Sequence, residues 1–162
     1  MRPLMEYVDV CICNEEDADR CLGVHAEGSD VDRGALNLDG YRALAATLRD
    51  DFAFQTVAIT LRESISASRN LWSAIITDHR TASTPYHSTK YDIQIVDRVG
   101  GGDSFAAGLI AALVGGAEAD AALEFAVAAS CLKQTIPGDF NHVSRDEVER
   151  MLTTGGTGRV VR

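Results

Sequence analysis

The stretch Asp97-Arg98-Val99-Gly100-Gly101-Gly102-Asp103-Ser104-Phe105 decides the fold of this chain. Its consecutive glycines can present a run of backbone N–H groups to an anion, because no side chain obstructs the approach. An apolar run from Phe105 to Val114 follows at once and predicts a helix. The N-terminus of such a helix carries partial positive charge and free N–H donors. Loop and helix together therefore predict a seat for a phosphate group.

Asp103 stands beside this seat, where its carboxylate can take a proton from an attacking hydroxyl. A glycine cradle next to an acid suggests phosphoryl transfer to an alcohol. The alternative is purely structural, since Gly-rich turns precede many helices and an Asp at a helix start is often only a cap. The stretch is neither a Walker A loop, because Gly-Lys-Ser/Thr is absent, nor a dinucleotide motif, because Phe105 occupies the third glycine position.

The nonapeptide resembles the C-terminal signature of the ribokinase-like (pfkB-type) carbohydrate kinases, Asp-Thr-x-Gly-Ala-Gly-Asp-x-Phe. Arg98 replaces the usual Thr, and Gly101 replaces the usual Ala. Within the family, the stretches 13–17, 60–64 and 97–103 are most similar to the kinases of 2-keto-3-deoxygluconate. The signature residues that match are Asp97, Gly100, Gly102, Asp103 and Phe105.

For the intact enzyme, the resemblance implies ATP-dependent phosphorylation of this sugar acid at its terminal hydroxyl. Asp103 is the implied base and substrate contact, and Gly100, Gly101 and Gly102 are the implied anion hole. Mg²⁺ would bridge the ATP phosphates, with a monovalent cation such as K⁺ as a further cofactor. Two alternatives stay open: another sugar kinase of the fructokinase or ribokinase type, and a catalytically silent nucleotide-binding fragment.

A second stretch, Asn14-Glu15-Glu16-Asp17, follows a predicted strand and opens a predicted helix. The family has an Asn-x-x-Glu motif here that helps to hold Mg²⁺ and phosphate, largely through water. Asn14 matches this motif, whereas Asp17 is one methylene shorter than the usual Glu, so Glu16 or Glu15 is an alternative for its role. The structural alternative is an N-cap Asn with favourable acids in the first turn.

The nucleotide site is predicted at the carboxyl end of the central strand, where open parallel sheets bind ligands. Thr60 matches the family's Thr-x-Gly stretch, Arg62 replaces its glycine, and Ser66 replaces a later glycine. A solvated arginine at a strand end is the alternative interpretation. The helix 119–135 and the turn after it are expected to form one wall of the adenine slot. The residues predicted to contact ATP are Thr60, Leu61, Arg62, Glu63, Ser66, Val127 and Gly138.

Arg98 lies inside the signature and is predicted to pair with a phosphate or with the acid group of the sugar acid. The alternative is a salt bridge to Asp97 or Asp92. The net charge of −9 argues against nucleic acid or an anionic membrane as a partner. An acidic protein that binds ATP needs local positive potential, for which the candidates are Arg62, Arg98, Lys133 and the helix after the glycines.

The 162 residues have the length of one domain, and 46% of them are hydrophobic, which is enough for a core. The first ten residues do not resemble a secretory signal, and no apolar run approaches the ~18 residues that span a bilayer. The four cysteines are therefore expected to be free thiols in the cytoplasm.

Hydrophobic patterns predict strands and helices in alternation. This order indicates an α/β fold, a ribokinase-like (Rossmann-like) parallel sheet with helices on both faces. We expect residues 1–152 to form the C-terminal nucleotide-binding part of such a domain, with the N-terminal half and lid absent, and 153–162 to be a flexible tail. The chain is expected to pair with a copy of itself or with that missing half. The predicted strands are 8–13, 54–61, 71–77 and 91–96, the helices 15–22, 36–48, 104–114, 119–135 and 144–152, and the loops 23–34 and 81–90.

Overall fold

The computed structural model describes residues 1–25, 37–79 and 84–154. Contacts divide the chain into two compact units. The first contains Met1–Glu63 and Ser73–Ser88, and the second contains Ser64–Trp72 and the described residues from Thr89 onward. Most of the predicted loop 23–34, the first residues of the predicted loop 81–90, and the predicted tail from residue 155 lie outside the described residues.

The secondary structure follows the predicted order with few differences. The short strand β4 was not predicted, and α3 begins at Gly101 rather than Ser104. In the part of the chain that the structure describes, no helix is both long and apolar enough to cross a membrane. A 3-10 helix spans Arg2–Tyr7, and the strands and helices are β1 Val10–Cys13, α1 Glu15–Leu22, α2 Leu38–Phe52, β2 Thr56–Ser66, β3 Arg69–Asp78, β4 Tyr86–His87, β5 Tyr91–Gln94, α3 Gly101–Val114, α4 Ala119–Gln134 and α5 Arg145–Thr153.

The first unit is built on β1, which runs parallel to β2 with Val10 opposite Thr56 and Cys13 opposite Ile59. In the same unit, β4 pairs antiparallel with the end of β3. Leucines on the inner face of α2 pack with strand residues in one hydrophobic cluster. Burying each such side chain contributes roughly 1.5–3 kcal/mol. Core members that are at most 2% exposed include Leu44, Leu48, Val57, Ile59 and Ile75.

The second unit pairs β5 antiparallel with the first residues of β3, from Arg69 opposite Gln94 to Trp72 opposite Tyr91. Helix α4 is buried over most of its length, which explains its small residues. It packs closely on α3, because a Cβ atom at Gly108 would lie 3.1 Å from the Cα of Ala126.

The sheet is mixed, so the expectation of a wholly parallel sheet was wrong. Only β1 and β2 form a parallel pair among the pairings given above, while β3 is antiparallel to both β4 and β5. The cause lies in the turn at residues 67 and 68, which joins β2 to β3. A connection of two residues can join only antiparallel neighbours. The sequence did not reveal this hairpin because residues 64–69 are all exposed and lack an apolar pattern.

Candidate phosphate-binding site

The glycine loop ends in a sharp turn that opens α3. Gly100 is the N-cap and adopts a left-handed conformation, with φ at 79°. The Gly101 N–H donates to the Arg98 carbonyl oxygen at 3.1 Å. Within the described residues, the N–H groups of Gly100, Gly102 and Asp103 have no acceptor. The Gly101 N–H is thus used inside the loop, and the role of the three glycines as an anion hole stays a prediction.

Asp103 lies in the first turn of α3 rather than before the helix. Its side chain is exposed. It forms no ion pair or hydrogen bond among the residues that the structure describes. A carboxylate at this end of a helix is favoured by the free N–H groups and the helix dipole. The position therefore joins a free carboxylate to free backbone donors, which is the arrangement predicted for a base beside a phosphate seat.

Contacts from α4 and the segment after it fix the shape of the loop. A Cβ atom on Gly100 would lie 2.2 Å from the Asp139 carbonyl oxygen, so only glycine fits there. The fully buried Ser130 hydroxyl donates to the Gly101 carbonyl oxygen at 2.8 Å. A Cβ atom on Gly101 would come within 3.1 Å of Gln134. The loop is thus held by residues about thirty to forty positions later in the chain, which local sequence patterns cannot reveal.

Asp97, the first residue of the signature, ties the loop to the turn after α4. One carboxylate oxygen accepts from the Val99 N–H at 3.0 Å, and the other accepts from the Gly138 N–H at 2.9 Å. These hydrogen bonds, with a contribution from the charge of Lys133, hold the pKa of Asp97 below its ordinary value. Sequence reasoning assigned no such role to Asp97, although its match to the signature was a usable signal. Gly138, predicted to contact ATP, is one partner in this tie.

Asn141 and Lys133, both in the second unit, also lie against the loop or the start of α3. The Asn141 side-chain amide donates to the Ser104 hydroxyl oxygen at 2.7 Å. Lys133 is 0% exposed, and its ammonium nitrogen has no hydrogen-bond partner in the described part of the chain. Its Cε lies 3.2 Å from the position of a Cβ on Gly100. The sequence pointed to Lys133 as a source of positive potential, and the structure places it against the loop.

Arg98 forms neither of the salt bridges considered from the sequence. Its guanidinium donates to the Ala67 carbonyl oxygen at 2.6 Å, in the turn between β2 and β3. Asp92 pairs instead with Arg69 at 2.6 Å. The side chain of Arg98 is exposed, and its predicted role toward a phosphate or a sugar acid stays a prediction.

The stretch predicted to bind ATP lies inside β2, which extends to Ser66 instead of ending at Leu61. Leu61 is 0% exposed and belongs to the core of the first unit, so its side chain is not a ligand contact. Val127 is likewise fully buried in α4, and its contact with adenine stays a prediction. The Ser66 hydroxyl accepts from the Ser68 N–H at 3.3 Å within the hairpin turn. Arg62 is exposed, and Thr60 and Glu63 are partly exposed, so the predicted ATP contacts of these three residues stay predictions.

In the first unit, Asn14 and Asp17 form a capping box at the start of α1. The Asp17 N–H donates to the Asn14 side-chain oxygen at 2.8 Å, and the Asn14 N–H donates to the Asp17 carboxylate at 3.2 Å. Glu16 pairs with Arg20 at 3.4 Å. No group of three or more possible metal ligands occurs among the described His, Cys, Asp and Glu residues. Asn14 thus caps α1, as in the structural alternative considered from the sequence. The role of Asn14, Glu16 and Asp17 in holding Mg²⁺ stays a prediction.

Comparison with known proteins identifies the class to which this fold and loop belong. The sequence model of the pfkB family carbohydrate kinases matches residues 1–143, and the chain belongs to this family. The solved 2-dehydro-3-deoxygluconokinase of Thermotoga maritima is 47% identical, with a TM-score of 0.83 over 93% of this chain. A curated 2-dehydro-3-deoxygalactonokinase of Haloferax volcanii is 34% identical over 127 residues, or 78% of this chain. The expected ribokinase-like fold class is thereby confirmed.

A more distant neighbour shares the fold alone. A ribokinase II of Escherichia coli, solved in complex with ATP and Mg²⁺, has a TM-score of 0.63 at 18% identity over 94% of this chain. The chain spans 36% of the length of the Haloferax relative, 43% of the Thermotoga structure and 42% of the E. coli structure. It therefore corresponds to less than half of the proteins that it matches.

Proposed function

We propose that this chain carries the phosphate-binding part of an ATP-dependent kinase that phosphorylates 2-keto-3-deoxygluconate at its terminal hydroxyl. The observation that carries the proposal is the exposed Asp103 carboxylate beside the unpaired N–H groups of Gly102 and Asp103 in the described structure. The choice of sugar acid is supported by the name of the Thermotoga relative at 47% identity.

In the proposed reaction, Asp103 takes the proton of the terminal hydroxyl as its oxygen bonds to the γ-phosphorus. The bond between the γ-phosphorus and the bridging oxygen breaks, and ADP leaves with that electron pair. The free N–H groups at the start of α3 stabilise the charge on the transferring phosphoryl group. The transition state is largely dissociative, so the base needs little strength and an ionised carboxylate suffices.

The cofactors are also part of the proposal. Mg²⁺ would neutralise the phosphate oxygens of ATP. The oxygens of Asn14, Glu16 and Asp17 suit a hydrated Mg²⁺ held through water, because this ion keeps several waters and takes few protein carboxylates. A K⁺ ion as a further cofactor stays a prediction. Thr60, Arg62, Glu63, Ser66 and Gly138 are the exposed or partly exposed candidates for ATP contacts.

Arg98 is the proposed contact for the carboxylate of the sugar acid. Its exposed guanidinium uses one N–H group on the Ala67 carbonyl oxygen. The planar group has further donors in a geometry that matches a carboxylate. We further propose that the reaction takes place in the cytoplasm and that a partner chain or a further segment supplies the rest of the family fold.

The proposal is tested by joining this chain to the part of the Thermotoga kinase outside its matched region. The chimera is assayed for ADP release with ATP, Mg²⁺ and 2-keto-3-deoxygluconate. The same assay with 2-keto-3-deoxygalactonate, fructose and ribose determines the acceptor. The Thermotoga kinase itself is the positive control. We expect ADP release that depends on 2-keto-3-deoxygluconate above the other acceptors.

Two results would contradict the proposal in different ways. A folded chimera that binds ATP but releases no ADP with any acceptor would favour the catalytically silent nucleotide-binding module. A chimera that prefers fructose or ribose would support the kinase class and overturn the proposal that the acceptor is a sugar acid. Calorimetric titration of this chain alone with ATP distinguishes the loss of nucleotide binding from the loss of chemistry.

A further inference from the structure

Lys133 is the most unusual charged residue in the second unit. Its side chain is 0% exposed, and within the described structure its ammonium nitrogen donates no hydrogen bond. Burying a charge without a partner is costly, so buried lysines are normally paired. A negative charge near the Lys133 ammonium would therefore stabilise it, and the described protein groups supply this charge only in part.

The groups around Lys133 include one carboxylate and the positive end of a helix. The Asp97 carboxylate is the neighbouring anion, and it is already engaged by the Val99 and Gly138 N–H groups. The N-terminus of α3 adds further positive potential on the same side, because its free N–H groups carry partial positive charge. Cε of Lys133 lies 3.2 Å from the position of a Cβ on Gly100, so the end of the Lys133 side chain packs against the back of the loop. The loop thus has a buried ammonium behind Gly100 and unpaired N–H donors at the start of α3, and a bound anion would interact favourably with both.

We propose that Lys133 is a positioning residue for the phosphate chain of the nucleotide, whose buried ammonium supplies a fixed positive charge behind the glycine loop. This inference rests on the proposed function and deepens it. Lys133 acts through the backbone of Gly100 rather than by touching the transferred group, so it differs from a P-loop lysine that reaches the phosphates directly. The ligand class selected by this arrangement is a polyphosphate, because a higher charge gains more from the buried cation.

The matched pair Lys133→Met and Lys90→Met tests the proposal, because the chain has only these two lysines and both changes remove one positive charge. Lys90 lies in the same unit but is exposed. Binding of inorganic tripolyphosphate is measured by calorimetry at several salt concentrations. We expect Lys133→Met to weaken binding at least tenfold and to flatten its salt dependence, with Lys90→Met within twofold of the original chain. Equal affinity and equal salt dependence for Lys133→Met and the original chain would overturn the proposal.

A measurement on the unsubstituted chain keeps the proposal testable if Lys133→Met does not fold. In an NMR titration with tripolyphosphate, the ¹³Cε signal of Lys133 is expected to shift with the same affinity as the Gly102 amide. A shift of the Gly102 amide without any change at Lys133 would overturn the role of Lys133 and leave the proposed function intact. If the Gly102 amide does not respond, the loop binds no phosphate chain, and both proposals fail.

Discussion

Gly100 lies so close to Asp139 that a Cβ atom on it would come within 2.2 Å of the Asp139 carbonyl oxygen. The backbone at Gly100 is also left-handed, with φ at 79°. These two conditions together exclude any other residue, whereas Gly102 has no heavy atom within 4 Å of its Cβ position. Two glycines of one signature thus differ in kind: Gly100 is required by the close packing of the loop, and Gly102 leaves open space above it.

The first prediction contrasts Gly100→Ala with Gly102→Ala. The left-handed backbone alone costs Gly100→Ala about 1–2 kcal/mol, and displacement of Asp139 adds to that. Gly102→Ala lies inside α3 and is expected to change stability by no more than about 1 kcal/mol, in the stabilising direction. Urea unfolding of both variants measures the difference. Equal stabilities would show that the contact between Gly100 and Asp139 is wrong.

Ser130→Ala is expected to destabilise the second unit by about 1–3 kcal/mol, because it leaves the buried Gly101 carbonyl without its donor. Thr153→Ala is the control, since its hydroxyl also donates to a backbone carbonyl, at 2.9 Å, but on the exposed end of α5. That change is expected to stay within about 0.5 kcal/mol. Urea unfolding measures both effects. A loss for Ser130→Ala no larger than that of the control would rule out its supporting role.

The pKa of Asp97 is expected to lie below its ordinary value of 3.8, first because of the Val99 N–H and then because of the Gly138 N–H. A lowered pKa in the folded state means that Asp97 stabilises the fold above pH 3.8, and that this contribution is lost as the pH falls through the folded pKa. A ¹³C NMR titration of the carboxyl group measures the pKa directly. In parallel, the stability difference between the original chain and Asp97→Asn should shrink toward low pH. A constant difference would contradict the assigned hydrogen bonds.

Thiol labelling of the native chain should modify Cys21 rapidly and the other cysteines slowly. Cys21 is exposed, whereas Cys11, Cys13 and Cys131 are buried. Burial raises the pKa of the Cys131 thiol, so little reactive thiolate forms there near neutral pH. Mass spectrometry after iodoacetamide treatment should find one fast site, and four after unfolding. Fast labelling that persists in Cys21→Ser would contradict the burial of the other three.

In the chimera described above, Asp103→Asn is expected to lower turnover by about 10²–10⁴-fold, because the base for the hydroxyl proton is lost. ATP affinity should change by less than a few fold, since the N–H groups remain. Asp120→Asn is the matched control, because Asp120 also lies in the first turn of a helix, α4. Coupled assays of ADP release measure turnover. If Asp103→Asn kept its turnover within a few fold of the original chimera, Asp103 would not be the base.

Short-range signals predicted the helices well. The bounds of α1 were predicted to the residue, and α5 begins within one residue of its predicted start, at a capping box formed by Ser144 and Glu147. The glycine loop was also evident, because consecutive glycines before an apolar run favour a turn that opens a helix. These features depend on neighbours within about four positions, so the sequence contains their whole physical cause.

Only the tertiary structure decided which of the predicted site residues are buried and which are exposed. Leu61 and Val127 were predicted to contact ATP, yet both are fully buried. Lysine is a residue type that usually lies on the surface, yet Lys133 lies under the loop because α4 is buried over most of its length. Such outcomes depend on contacts between residues thirty or more positions apart, and no local pattern encodes them. The sequence by itself therefore determined the glycine loop that opens α3, while packing decided which residues support it.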